Sequence, residues 1–167
     1  MKTILPSQIK DNVFKAVNDD WMLITAVNSE GKINTMTASW GGFGIMWGKP
    51  VCVCVIRPQR YTNEFVLDSS FLTLSFLEDG NREALKICGT KSGRKCDKIA
   101  ESGLKPIVKD GYAYFEQSRL VLYGRKIYSS VIKEECFIDK SIPEKVYPEK
   151  DFHYVYVCEI EKVEAKE

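Results

Sequence analysis

Short strand-forming runs recur along the chain, some continuously apolar and some alternating, and turn residues separate them. WMLITAVN (21–28) predicts a strand, SEG (29–31) a turn, and KINTMTAS (32–39) a strand that pairs back as a hairpin. WGGFGIMWGK (40–49) holds four glycines and two tryptophans and predicts an irregular loop. PVCVCVIR (50–57) is continuously apolar, which predicts a strand buried on both faces. FLTLSFL (71–77) predicts another, with Leu72, Leu74 and Phe76 on one face. Long strand-forming runs follow at 112–132 and 152–163, and in the second Phe152, Tyr154, Tyr156, Cys158 and Ile160 share a face.

Helical signals are short and scattered. Thr62 with Glu64 predicts a capped helix over 62–68, NREALKICG (81–89) one closed by glycine, and CDKIAESG (96–103) a third. Residues 1–19 predict only a mixed lead-in. Helices inserted among six or seven strands, rather than alternating with them, predict a mainly β fold: a small β-barrel with helical insertions. Neither G-x-G-x-x-G nor the P-loop pattern is present.

Composition changes this picture little. The 167 residues fit one domain, and a formal net charge of +1 gives no bulk attraction for nucleic acid or a membrane surface. Any anion site must be a local cluster of charge. The first residues do not read as a signal peptide, since the apolar run is short and Pro6 interrupts it. Six cysteines without a C-x-x-C pair are expected to be reduced thiols of a cytoplasmic protein, and a single histidine predicts no metal site.

Three polar segments do not behave like packing. In NTMTASWGG (34–42), Thr35, Thr37 and Ser39 alternate on one face and run into glycines. Small hydroxyl residues there leave room for a flat ligand, although a solvent-facing edge strand would look the same. In RPQRYT (57–62), Arg57 and Arg60 flank a turn before a helix N-terminus, an arrangement suited to phosphate or to plain solvation. In GTKSGRKCDK (89–98), Lys91, Arg94, Lys95 and Lys98 crowd a Gly/Ser loop, which fits an anion cradle or an ordinary basic loop. His153, at the start of the last strand, is a hydrogen-bonding candidate.

Taken in order, these segments resemble the flavin reductase-like, FMN-binding split-barrel family, and within it the flavoredoxin-type branch. The resemblance rests on 34–62, 75–77, 88–98 and 152–160. It implies an FMN-binding split barrel that holds FMN noncovalently, often near a homodimer interface. By that likeness Thr37, Ala38 and Ser39 lie along the flavin, with Met36 and Trp40 beside them. Arg57, Arg60, Tyr61 and Thr62 serve the phosphate, while Lys91, Ser92, Gly93 and Arg94 close over the cofactor. His153 falls on the nicotinamide side, as a catalytic candidate. Where related reductases carry Gly-Asp-His, however, this chain reads Lys150-Asp151-Phe152-His153, and where the family loop reads SGRD, Lys95 follows Arg94.

The expected activity is an oxidoreductase that moves electrons from NAD(P)H to flavin, or onward to a small-molecule or redox-protein acceptor. An FMN carrier without nicotinamide activity is the alternative. A base-stacking barrel that binds oligonucleotides is a third reading, disfavoured because no basic stripe interleaves with the aromatics. Neither nucleic acid nor membrane is an expected partner.

Overall fold

The computed structural model describes residues 1–166. Its strands are β1 (Lys2–Ile4), β2 (Met22–Val27), β3 (Ile33–Ala38), β4 (Gly41–Met46), β5 (Lys49–Ile56), β6 (Phe71–Leu77), β7 (Pro106–Lys109), β8 (Tyr112–Phe115), β9 (Ser118–Val131) and β10 (Tyr154–Ala165). The helices are α1 (Val13–Lys15), α2 (Tyr61–Asp68), α3 (Arg82–Thr90), α4 (Lys98–Glu101) and α5 (Ser141–Val146). Among the described residues no helix is long and apolar enough to cross a membrane.

The main sheet runs β3-β2-β6-β9-β10-β5-β4, with β1 alongside the far end of β10. All its pairings are antiparallel. Its two edge strands, β3 and β4, are consecutive in the chain and joined only by Ser39 and Trp40. Laid flat, six inter-strand steps would separate those edges by roughly 29 Å. The three Cα steps from Ala38 to Gly41 reach roughly 11 Å. The sheet must therefore curl on itself, and β3 and β4 meet without pairing. A barrel with one unpaired seam results, and its mouth beside Trp40 is where the candidate site lies.

The interior follows from strand alternation. Met22, Ile24, Cys52, Cys54, Ile56, Leu72, Leu74, Phe76, Leu120, Leu122, Tyr156 and Cys158 are almost wholly buried in one cluster. A second cluster forms where Leu23 and Leu77 meet Ala84, Leu85 and Cys88 of α3. The outer positions of β5, Val53 and Val55, are only half-buried, so this strand is not covered on both faces as its composition predicted.

Other expectations also change. Residues 41–46 are a strand, not a loop, because glycine removes side chains but leaves the ladder amides free to pair with β5. The reversal at Trp47 and Gly48 has φ of 53° and 69°, the backbone of a type I′ hairpin turn. The lead-in supplies β1. The predicted strand over 112–132 is divided by a turn at Glu116 and Gln117, where the Gln117 amide holds Lys105 N and Gly103 O. Helix α2 starts at Tyr61, after an Arg60 N-cap that makes no side-chain cap bond. Thr62 lies inside it, its hydroxyl accepting from Asn34 at 3.0 Å, so it is not the predicted cap. Thr35 bonds the Thr25 hydroxyl at 2.8 Å, a buried cross-strand pair that offers nothing to a ligand.

Candidate functional site

The end of β3, the end of β5, the start of α2 and the end of α3 meet at the barrel mouth. Between them lie two small cavities with a shared wall of Met36, Arg57 and Arg60. The first, of about 180 Å³, is lined further by Gln59, Tyr61, Thr62, Lys91, Ser92 and Lys98. The second, of about 200 Å³, lies along Thr37, Ala38, Ser39 and Trp40 and is closed by Val55 and His153. No carboxylate lines either one.

The cations here are not equivalent. Arg57 pairs with Asp151, donates to Val146 O at 2.9 Å and stacks over the Tyr147 ring. Gln59 reaches the same Asp151 oxygen at 2.6 Å. Lys91 pairs with Glu101, and Arg94 with Glu64. Arg60 instead donates to Gly89 O at 3.1 Å, and Lys98 to Cys88 O at 3.1 Å and Lys91 O at 3.2 Å. These carbonyls belong to the last turn of α3 and the residue after it, the negative end of that helix. Two cations without carboxylate partners are thus held at the cavity wall by backbone oxygens.

On the second cavity, Thr37 donates to Leu85 O at 2.5 Å, which ties β3 to α3 and commits its proton. His153 is only 7% exposed. Its Nδ1 lies 2.8 Å from the Tyr147 hydroxyl, and its ring centroid lies 5.1 Å from that of Trp40. Burial, aided by the charge of Arg57, pushes its pKa down to about 4, so the imidazole is neutral near pH 7. A neutral ring can donate or accept a hydrogen bond at the cavity wall but brings no charge. With neither an acid–base pair nor a nucleophile on the walls, the site suits a ligand that carries its own chemistry.

A model of the flavin reductase like domain matches residues 15–167. The chain belongs to that family. Among solved structures it is similar to flavoredoxin of Desulfovibrio vulgaris (Miyazaki F), at 18% identity, covering 98% of this chain and 78% of that one with a TM-score of 0.69. It is also similar to an FMN-binding domain of a flavin reductases-like enzyme from Shewanella baltica OS155, at 14% identity, 98% and 76% coverage and a TM-score of 0.67. A third is the split barrel domain of a protein from Shewanella frigidimarina NCIMB 400, at 15% identity, 89% and 67% coverage and a TM-score of 0.70. At such identities the likeness speaks for the fold, a split barrel. No curated protein matches the chain in sequence.

Against this flavin reductase-like frame, eleven of the predicted site residues line one or other mouth cavity: Met36, Thr37, Ala38, Ser39, Trp40, Arg57, Arg60, Tyr61, Thr62, Lys91 and Ser92, joined by His153. Gly93 and Arg94 lie outside both. Gly93 faces a larger hollow of about 670 Å³ that Tyr61 and Lys98 also line. A Cβ on Gly93 would come within 2.6 Å of Asn34 Oδ1, so only glycine lets the loop pack there. Arg94 stacks over Tyr61 and donates to Gln59 O at 3.1 Å, fixing the turn that carries Arg60. Gln59, Asp151 and Tyr147 were not among the predicted residues. Asp151 and Tyr147 join the site through contacts to Arg57, Gln59 and His153 that no local pattern encodes.

Proposed function

We propose that this protein holds FMN noncovalently and acts as an NAD(P)H-dependent flavin oxidoreductase. The observation that carries this reading is the joining of a cation-walled cavity, free of carboxylates, to a slot along one strand edge. Arg60, Thr62 and Ser92 are assigned to the phosphate, with Arg57, Tyr61 and Lys91 completing the walls. Gly93 and Arg94 shape the closing loop. Met36, Thr37, Ala38, Ser39 and Trp40 flank the ring and ribityl chain. The bound flavin would supply the hydride and electron chemistry. The chain's part is to orient it, exclude water and, through the neutral His153, offer one hydrogen-bonding group on the open side.

A second copy of the chain is the partner this reading favours. On the outer face of β4 and β5, Gly42 and Gly44 lie beside the half-buried Val53 and the buried Val51. A Cβ on Gly44 would touch nothing within this chain. Glycine there is accounted for if another subunit packs flat against the strand edge. Six unpaired thiols suit a reducing, cytoplasmic setting.

The test is direct. The purified protein should be yellow and release FMN on denaturation, and should oxidise NADH or NADPH steadily when FMN is supplied. A colourless protein that takes up no flavin refutes the reading. A yellow protein silent toward both nicotinamides, yet reduced by a redox-protein donor, is the carrier instead.

A further inference from the structure

Tyr147 follows the last turn of α5, where its N–H donates to Pro143 O at 2.9 Å. Its ring packs against Phe152 with centroids 4.8 Å apart and against Phe137 at 6.0 Å, and the Arg57 guanidinium lies 5.2 Å from its centroid. The side chain is thus clamped, and only 5% of the residue is exposed. Among the described residues its hydroxyl has one partner, Nδ1 of His153 at 2.8 Å. The imidazole stands edge-on to the Tyr147 ring, with centroids 5.5 Å apart, and its centroid is 5.1 Å from that of Trp40. Its other nitrogen, Nε2, has no partner among the described residues, yet it is not one of their sealed, unpaired polar atoms. It opens on the 200 Å³ cavity that the ring lines.

A phenol carries one proton, and a neutral imidazole carries one on either nitrogen. Burial raises the Tyr147 pKa from the usual tyrosine value, so the phenol keeps its proton, while His153 is neutral near pH 7. With the imidazole proton on Nδ1, that N–H would donate to the phenol oxygen and leave the phenolic proton buried without an acceptor. With the proton on Nε2, the phenol donates to Nδ1 and both groups are satisfied. A buried donor left unpaired costs enough to bias the two arrangements about 5- to 150-fold. The Arg57 charge over the ring acts in the same direction, since it makes the phenol a better donor and a poorer acceptor. We propose that Tyr147 is a positioning residue that fixes the His153 proton on Nε2, so that the wall of the second cavity presents a hydrogen-bond donor rather than an acceptor. The cavity then favours a ligand atom that accepts at that point, a carbonyl oxygen or an unprotonated ring nitrogen, over an N–H or O–H. The tautomer is independent of the flavin reading; the use of Nε2–H toward a flavin rests on it.

Long-range proton–nitrogen NMR correlations of the flavin-free protein, labelled with ¹⁵N-histidine, read the tautomer of this single histidine at pH 7. Nε2 should be the protonated nitrogen, by about fivefold or more over Nδ1. A protonated Nδ1, or two tautomers within about twofold of one another, would overturn the proposal. Tyr147→Phe keeps the ring and removes only the hydroxyl. It should lower the ratio of Nε2–H to Nδ1–H by about threefold or more, with an unchanged circular dichroism spectrum. An unchanged ratio in the folded variant would take the positioning role away from Tyr147. If the variant does not fold, the wild-type spectrum decides the matter. Oxidised FMN is then added to the labelled wild type, and Nε2 should stay protonated while its resonance moves. FMN that binds and drives the proton to Nδ1 would overturn the donor role. Failure to take up any flavin sinks the flavin reading, while the tautomer stands or falls on the flavin-free spectra.

Discussion

His153 is the only histidine in the chain, so one substitution can isolate its effect on stability between pH 5 and 7. In the folded protein its pKa lies near 4, below the 6.5 of a free imidazole, chiefly because the ring is buried. The unfolded chain therefore takes up a proton first as the pH falls, and the native state loses ground from about pH 6.5 down to about pH 4. At pH 5 the unfolded imidazole is almost fully protonated and the native one almost fully neutral. Proton linkage over that interval costs the native state about 2 kcal/mol relative to pH 7. For a chain of this size that is a fall in Tm of about 4–8 °C. The assay is thermal unfolding of wild type and His153→Asn at pH 7 and pH 5, both flavin-free. Asn is chosen because it can still meet the Tyr147 hydroxyl and does not titrate. Its absolute Tm is expected to fall, but the pH-dependent fall should shrink to a small remainder from carboxylates, which both proteins share. Equal pH-dependent falls in the two proteins would refute the claim that this imidazole is held neutral.

Three other outcomes follow from the geometry. Arg60→Ala should weaken FMN retention about 10- to 100-fold with an unchanged far-UV spectrum, and full flavin occupancy in that variant would remove Arg60 from the phosphate site. Gly41→Ala should cost about 3 kcal/mol or more, because φ is +133° and the new Cβ would stand 2.2 Å from Val53 O; a normal denaturant midpoint would contradict this close approach of β4 to β5. Gly44→Glu should leave unfolding within about 0.5 kcal/mol of wild type yet abolish the proposed self-association in sedimentation, since its Cβ meets only open space within the subunit.

Much of this fold is legible from alternation alone. β2, β3, β5, β6 and β10 fall within a residue or two of the runs that predict them, since each buries at least one face, and β2 and β6 nearly both, so register is tightly specified. β4 is hidden because four glycines and a Trp47 at positive φ look like a loop, and only its pairing with β5 shows a strand. The site is legible by segment but not by role. Thr35 and Thr37 alternate as a ligand face should, yet their protons go to Thr25 or Ile24 O and to Leu85 O. Asp151 lies 94 residues beyond Arg57, and nothing local predicts their pairing.

That distant pairing decides the electrostatics of the site. The chain as a whole carries only +1. What sets the charge of the cavity wall is which of its cations have carboxylate partners. Arg57, Lys91 and Arg94 each have a carboxylate, so their side chains are spent on fixing α5, α4 and the turn before α2. Arg60 and Lys98 are held by carbonyls, which orient them without cancelling their charge. Orientation by carbonyl dipoles leaves a cation's charge in place, whereas a carboxylate partner offsets it. A count of lysines and arginines cannot make that distinction, because it depends on where Asp151, Glu101 and Glu64 arrive in three dimensions.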